Sequence, residues 1–422
     1  MNANSQKIDK VLLNKYLGLP IFIVFILLMF FTTFFVGSYP IEWISSFFEF
    51  LQNIIDNVLN DGILKELIND GILPGVGLVI SFLPSIFILF FFISFMEDSG
   101  YLVRIGVILD NFMKLFGLSG QSVVLLLMGF GCNVPAILAA NSIKNRSEKI
   151  RTILLIPFMS CSGRLPVYIL ITGMLFSKLE GVFVLISIYL LGILLAIFFS
   201  LLFKDRKHTS NQKKAINIKL PDYKLPSLKQ LLNKISTEIH DYIKKIYSVL
   251  LVASIIIWFL QAFPQNSNDN NHNTNKKEQI EHSYLGIIGK KIEPILLPLG
   301  FDWRISIALI TGITAKETAI STLGVLFNDN IYDADINKKT FTNQLKNAKY
   351  ISGDKKGEII FTIPVGLTFM VFFLIYFPCI SVFVAIKKVA GKKHASLIGM
   401  FTILAAYFVA FVIKVISDFI FL

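Results

Sequence analysis

Nine stretches of this chain are apolar for long enough to matter in a bilayer, and two of them are interrupted where they should be smoothest. Crossing roughly 30 Å of hydrocarbon as helix takes about 18 to 25 mostly apolar residues. Runs of that kind recur at 19–36, 78–96, 152–176, 181–203, 246–263, 360–386 and 395–416, and they predict about seven full transmembrane helices. Two further stretches, 121–140 and 301–327, are equally long but carry polar residues. The first of them contains GFGCNVPAILAA (129–140), in which Cys132, Asn133 and Pro135 fall within four positions.

Between these runs the pattern changes. Residues 228–245 place Leu228, Leu231, Leu232, Ile235, Ile239 and Ile243 at helical spacing among lysines. That predicts either an amphipathic helix on the inner membrane surface or a helical extension of the following span. Residues 264–283 are a polar low-complexity loop, expected to be disordered. NDGILKELINDGIL (60–73) repeats NDGIL at a nine-residue interval and reads as a pair of surface helices. The leader carries Lys7, Lys10 and Lys15, but no small-residue cleavage site follows the first apolar run, which predicts a retained helix rather than a signal peptide.

Composition agrees with this pattern: 54% of residues are hydrophobic, 40 are Phe, and the mean hydropathy is +0.67. An all-α polytopic membrane protein follows, with the lipid bilayer as its first partner. Charge then orients it, because short cytoplasmic loops are enriched in Lys and Arg. The leader 1–18, the loop 141–151, the segment 204–245 and the loop 387–394 are basic and read as cytoplasmic, so the N-terminus is inside. Residues 37–77 are acidic, with Glu42, Asp56, Asp61, Glu66 and Asp70 against Lys65, and 264–300 and 328–359 are nearly balanced. These read as external. The net charge of +12 is thus a topology signal and implies no nucleic-acid partner.

A plain span at 121–140 would put the basic loop 141–151 outside. The conflict disappears if 121–140 is a re-entrant hairpin entering from the cytoplasm and 301–327 a second hairpin entering from the opposite face. Each hairpin then precedes a proline-broken span, PFMSCSGRLP (157–166) and YFPCIS (376–381), which makes an inverted repeat. The alternative is a poorly apolar span hidden in 97–120, where Arg104, Asp110 and Lys114 lie, with the prolines as ordinary kinks. The organisation expected is a leader (1–18), a first membrane half (19–203) whose hairpin and broken span cover 121–176, a basic cytoplasmic segment (204–245), and a second membrane half (246–422) whose hairpin and broken span cover 301–386.

Irregular backbone at membrane depth is tolerated where it lines a cavity, and half-helix ends there bind ions and substrates. The three cysteines, Cys132, Cys161 and Cys379, all lie at such interruptions, each within four residues of a proline. Singly, each reads as a small hydrophobe. Together they suit a soft or borderline divalent metal, with Asn133, Ser160, Ser162 and Met159 and the freed carbonyls completing a weak transit site. Charged residues add to it: Glu97 beside Asp98, Lys316 beside Glu317, and Arg164. An ionisable group at that depth usually marks a pathway, although Asp98 fits an interfacial position and Lys316 with Glu317 fits a self-neutralising pair. All five histidines lie outside the apolar spans and no GxxxxGK[ST] occurs, so haem ligation, a serine–histidine protease and a nucleotide phosphate site in this chain lack their parts.

Five segments in order, MEDSGYLVR (96–104), GFGCNVPAI, PFMSCSGRLPVY, TGITAKE with STLGVLF (311–327), and YFPCISVFVAIKK, resemble the membrane domain of the ferrous iron transport protein B (FeoB) family, over about residues 7 to 390. The resemblance implies a transporter, not an enzyme, that carries Fe²⁺ as its substrate into the cell across the bacterial cytoplasmic (inner) membrane. It also implies a path lined by Cys132, Cys161 and Cys379, with Glu97 and Glu317 in acidic motifs. It implies as partners a separate cytoplasmic G-protein, small accessory Feo proteins and a homo-oligomer. Two departures stand out. The family usually begins with a G-protein domain, whereas about 18 residues precede the first span here, as in a split form whose GTPase is another chain, or one in which it has been lost or removed. The Gate motif reads SGR where the family often has SAR. Rival readings are a carrier of another divalent metal or of an organic solute such as a nucleoside, and a non-transporting membrane partner of a GTPase. A thiol-redox enzyme would need paired cysteines such as CxxC, and there are none.

Overall fold

The computed structural model describes residues 17–421 without 60–61, 204–222, 224–226, 265–275, 328–337 and 352–354, together with Asp9 and Leu12. All nine apolar stretches are mainly helical, four of them with breaks, and among the described residues the β-type pairing is one isolated bridge between Lys349 and Ile359. The chain forms two compact units, residues 1–159, 195–251 and 388–390 in the first and 160–194, 252–387 and 391–422 in the second.

In the first unit, α1 (Gly18–Phe31) passes through a π-helical turn (Thr32–Val36) into α2 (Gly37–Val58). The segment 60–73 is not a helix pair. From Ile63 it is helical without a break and runs through a π turn (Leu67–Ile72) into α3 (Leu73–Asp98). A π turn absorbs Asn69, Asp70 and Gly71 without ending the helix, so the repeated NDGIL marks no second start. At Gly100 the backbone takes a positive φ of 76°, open to glycine at little cost, and the chain turns into α4 (Tyr101–Met113). Residues 97–120 therefore hold a helix, and the axis bends by 77° between Leu83–Asp98 and Val103–Asp110.

The first interrupted stretch follows as α5 (Gly120–Gly129), a break, and α6 (Asn133–Ala139). A Cβ on Gly120 would lie 1.6 Å from the Gly106 carbonyl oxygen, so α4 and α5 cross with backbone against backbone. Carboxylates fix the start of α5: the Gly120 N–H donates to Asp110 Oδ1 at 3.1 Å and the Ser119 N–H to Glu148 Oε1 at 2.9 Å. Anionic groups at a helix N-terminus satisfy donors that have no intrahelical acceptor and oppose the dipole. Glu148 belongs to α7 (Arg146–Leu155).

Beyond α7 the helix breaks into 3-10 turns at Ile156–Phe158 and Ser162–Arg164 before α8 (Leu165–Leu175). α9 (Lys178–Leu202) is unbroken. α10 (Leu228–Ala262) is a single helix, so the amphipathic stretch is the extension of the span rather than a separate surface helix. Of the low-complexity loop, 265–275 lies outside the described residues, and 276–282 forms α11 (Lys276–His282) instead of disordered chain.

In the second unit, α12 (Tyr284–Leu296) and α13 (Trp303–Thr311) meet at a bend of 105°, turned at Gly300, whose φ is +85°. The second interrupted stretch is α13, a break, and α14 (Thr318–Phe327). α15 (Lys338–Lys346) precedes the second broken span, α16 (Ile363–Ile375) and α17 (Ile380–Ala390), and α18 (Lys392–Phe421) packs along α16. Among the described residues, four helical stretches, two of them continued across breaks, are long and apolar enough to span a membrane, and up to six if each bent pair counts as one span. That is fewer than the seven predicted, because Pro20–Met29 and Val249–Ala262 fall short as straight apolar helices.

Candidate functional site

All three cysteines occupy the same local position. Cys132 precedes α6 (φ −148°, ψ 129°), Cys161 precedes the turn at Ser162–Arg164 (φ −74°, ψ 163°), and Cys379 precedes α17 (φ −58°, ψ 155°). Each is the residue just before a helix start, and none uses its side chain as a cap. A side chain there stands beside N–H groups without intrahelical acceptors and an attractive field for negative charge. All three are half-buried and none is in a disulfide.

In the first unit, Asn133 is buried and its Oδ1 accepts no hydrogen bond among the described residues. A Cβ on Gly129 would come within 3.1 Å of Met159 Cβ and 3.3 Å of Asn133 Oδ1, so the amide and the thioether residue flank one glycine beside Cys132. Glu97 faces a lysine of α10. Lys234 of α10 bridges Glu97 Oε2 at 3.0 Å and Asp98 Oδ1 at 2.9 Å, and the Glu97 side chain is 59% exposed. Burial pulls the Lys234 pKa down, but the hydrogen bonds and charges of Asp98 and Glu97 outweigh it and hold the ammonium above its usual value. Both acids thus sit in an ion pair between α3 and α10.

The second unit gathers the other groups. Ser160, Arg164, Lys316, Tyr168 and Tyr376 are buried, and Cys161, Ser162, Glu317 and Cys379 half-buried. The tip of the second hairpin is joined to α17 by the Ile380 N–H donating to the Ile313 carbonyl at 2.7 Å. Lys316 Nζ donates to the Phe377 carbonyl at 2.9 Å, and lies 3.3 Å from the centroid of Tyr376 and 5.2 Å from that of Phe373. The Glu317 carboxylate lies against Gly163: a Cβ there would be 2.4 Å from Oε1 and 3.0 Å from Cδ. The glycine of SGR therefore lets the carboxylate approach the turn that follows Cys161. Arg164, Glu317, Cys161 and Cys379 all lie within electrostatic range of Lys316. The hydroxyl of Tyr376 has no hydrogen-bond partner among the described residues and faces Gly312. Neither tyrosine announced itself in the sequence, since a Tyr inside a Phe-rich run looks like any other packed aromatic.

Among the described residues no three His, Cys, Asp or Glu side chains converge to hold a metal ion. Any cation resting here would draw on thiols in ones and twos, one carboxylate, hydroxyls and freed carbonyls. The sulfur content of such a donor set favours borderline metals over Mg²⁺ and Ca²⁺.

Helix breaks that bring thiols, a carboxylate and a buried lysine together in an apolar chain whose described residues are mostly helical define the class: a polytopic membrane protein. The family model described as Nucleoside recognition (Gate) matches residues 79–175 and 243–393, and that of the Ferrous iron transport protein B C terminus matches 185–237. Among curated relatives, the Fe(2+) transport protein A/Fe(2+) transporter FeoB fusion protein of Porphyromonas gingivalis is 38% identical over 97% of this chain and 51% of its own length. The Fe(2+) transporter FeoB of Campylobacter jejuni is 36% identical over 97% of the chain and 64% of its own length, and that of Methanocaldococcus jannaschii 34% over 99% and 60%. The chain belongs to the FeoB family and corresponds to its membrane domain. It spans about half to two thirds of the length of these relatives. No solved structure matches it.

Proposed function

We propose that this chain translocates Fe²⁺ into the cell, with Cys161, Cys379 and Glu317 of the second unit and Cys132 with Asn133 of the first as its contact groups. The observation that carries the reading is the similarity, over nearly the whole chain, to proteins named Fe(2+) transporters. The position of all three thiols at helix breaks supports it, since sulfur donors beside freed backbone groups suit a borderline metal such as Fe²⁺. Ser160, Ser162 and Met159 complete the donor set. Fe²⁺ is cargo, so each contact has to be weak enough to release it.

The topology we infer is an inverted repeat with the N-terminus inside the inner membrane. Thiol labelling of single cysteines at exposed positions 146 and 347 in a thiol-free background tests it: position 146 is expected on the cytoplasmic side and 347 outside. Both on one side would remove the second hairpin. The basic segments 1–18 and 204–245 are those we assign to binding a cytoplasmic G-protein. The fusion of transport protein A to the transporter in the Porphyromonas relative supports an accessory Feo partner.

Anaerobic uptake of Fe²⁺ by liposomes containing the purified chain, with Zn²⁺, Mn²⁺ and a nucleoside as competitors, tests the function. Fe²⁺ uptake inhibited by metals but not by nucleoside is expected. Nucleoside uptake without metal uptake would overturn the reading.

A further inference from the structure

The two hairpins share a backbone frame but differ at one decisive position. Phe130 N–H donates to the Leu127 carbonyl and Gly131 N–H to that of Met128, at 3.2 and 3.0 Å; Ile313 N–H donates to Ile310 and Thr314 N–H to Thr311, at 3.1 and 3.0 Å. The bonds superimpose when Gly129 is set on Gly312, and Ala136 and Ile137 then fall on Ala319 and Ile320. In that register the buried amide of Asn133, whose Oδ1 accepts no hydrogen bond among the described residues, corresponds to the buried ammonium of Lys316.

Lys316 sits where a cation would. Its acceptor, the Phe377 carbonyl, lies in the break between α16 and α17, two residues before Cys379, and a carbonyl freed by such a break is a natural cation ligand. The other faces of the ammonium are taken by two aromatic rings, which bind cations through their π clouds. Arg164 and Glu317 stand nearby, so the surroundings hold two positive groups and one negative one besides the thiols. A divalent ion brought to the same carboxylate and thiols would repel the ammonium strongly at this depth, where charges only a few ångströms apart are poorly screened.

We propose that Lys316 is a tethered cation that occupies the empty second-unit site, is displaced by the incoming divalent metal, and returns as the metal leaves. Its return helps to expel the cargo, and its presence keeps monovalent cations off the Phe377 carbonyl. The proposal deepens the transport reading given above and rests on it. Lys316 is thus a specificity and release residue rather than a ligand.

The test compares the parent with Lys316→Gln, which keeps a donor for the carbonyl without the charge, and Lys316→Met, which removes both. Anaerobic Fe²⁺ uptake into liposomes is measured with and without ammonium or Tl⁺. A site filled by its own lysine nine-tenths of the time weakens apparent affinity about tenfold. Both variants should therefore show a KM lower by about that factor, a reduced maximal rate, and inhibition by ammonium and Tl⁺ that the parent lacks. A merely structural lysine would lower yield and rate without improving affinity. Unchanged KM with no new monovalent inhibition in folded variants overturns the proposal. Should neither variant purify, acylation of the parent by a small succinimidyl ester decides: faster modification of Lys316 at saturating Fe²⁺ supports displacement, and an equal rate refutes it. A parent that moves no Fe²⁺ removes the transport reading itself, whereas a transporting parent with unaltered variants removes only this inference.

Discussion

The hairpin at 126–139 and the hairpin at 309–322 make the same turn with different chemistry. At the first tip stand Cys132, Asn133 and Val134, a thiol and an amide in apolar surroundings; at the second stand Ala315, Lys316 and Glu317. The second can hold its charges because the break before Cys379 offers the Phe377 carbonyl and the Tyr376 ring to the ammonium, and Gly163 leaves room for the carboxylate. Asn133 has Gly129 and Met159 beside it. A repeated backbone frame thus sets where functional side chains can stand, and the partner element facing each tip decides which of them can be charged.

The sharpest way to break this comparison is to put the second hairpin's lysine into the first. Asn133→Lys should destabilise the protein by about 3 to 5 kcal/mol, the usual cost of a buried charge without a partner, read as loss of monodisperse protein after heating in detergent. Parental stability would mean that the tips are interchangeable. Next in size is Gly120→Ala, which forces a methyl group onto the Gly106 carbonyl. Overpacking of this kind costs about 1 to 3 kcal/mol. The melting temperature of the purified variant should fall, while the same change at Gly173, whose Cβ would meet nothing within 4 Å, should leave it in place.

The third prediction asks whether the thiols act as ligands. Cys161→Ala should slow anaerobic Fe²⁺ uptake about tenfold, or about 1.4 kcal/mol, with normal purification; Cys379→Ala should have a smaller effect. Uptake at the parental rate in a variant lacking all three thiols would leave the cysteines as packing residues. The smallest effect concerns Lys234. Its pair with Glu97 and Asp98 is partly exposed and contributes about 0.5 kcal/mol. Because the folded protein holds this ammonium above its ordinary pKa, the contribution is present below about pH 10.4 and disappears as pH rises further. Stability of the parent and of Lys234→Gln should therefore differ at pH 8 and converge in strong alkali. A constant difference would mean that packing of the side chain, not charge, is involved.

The sequence made the helices and their interruptions legible because both rest on local rules. Long apolar runs have to be helical in lipid, and Gly, Pro and polar residues within them mark breaks. Cys132, Cys161 and Cys379 were visible for the same reason. Three local features were misread: the repeated NDGIL suggested two helices where a π turn carries one through, residues 276–282 looked disordered, and the amphipathic stretch 228–245 left open an end that α10 closes. The task of Glu97 was hidden, because its partner Lys234 lies 137 residues away and no local spacing encodes that pair.

What the sequence determined by itself is the all-helical membrane class, the places where helices stop, and the residue types at those stops, since each follows from hydropathy and backbone chemistry within a few positions. Only the tertiary structure decided that Glu317 rests on Gly163, that Lys316 reaches the Phe377 carbonyl, and that Glu97 is engaged by Lys234. These pairings depend on which elements pack face to face. A charge in a poorly screening interior takes its meaning from the group opposite it, and that group is distant in the chain.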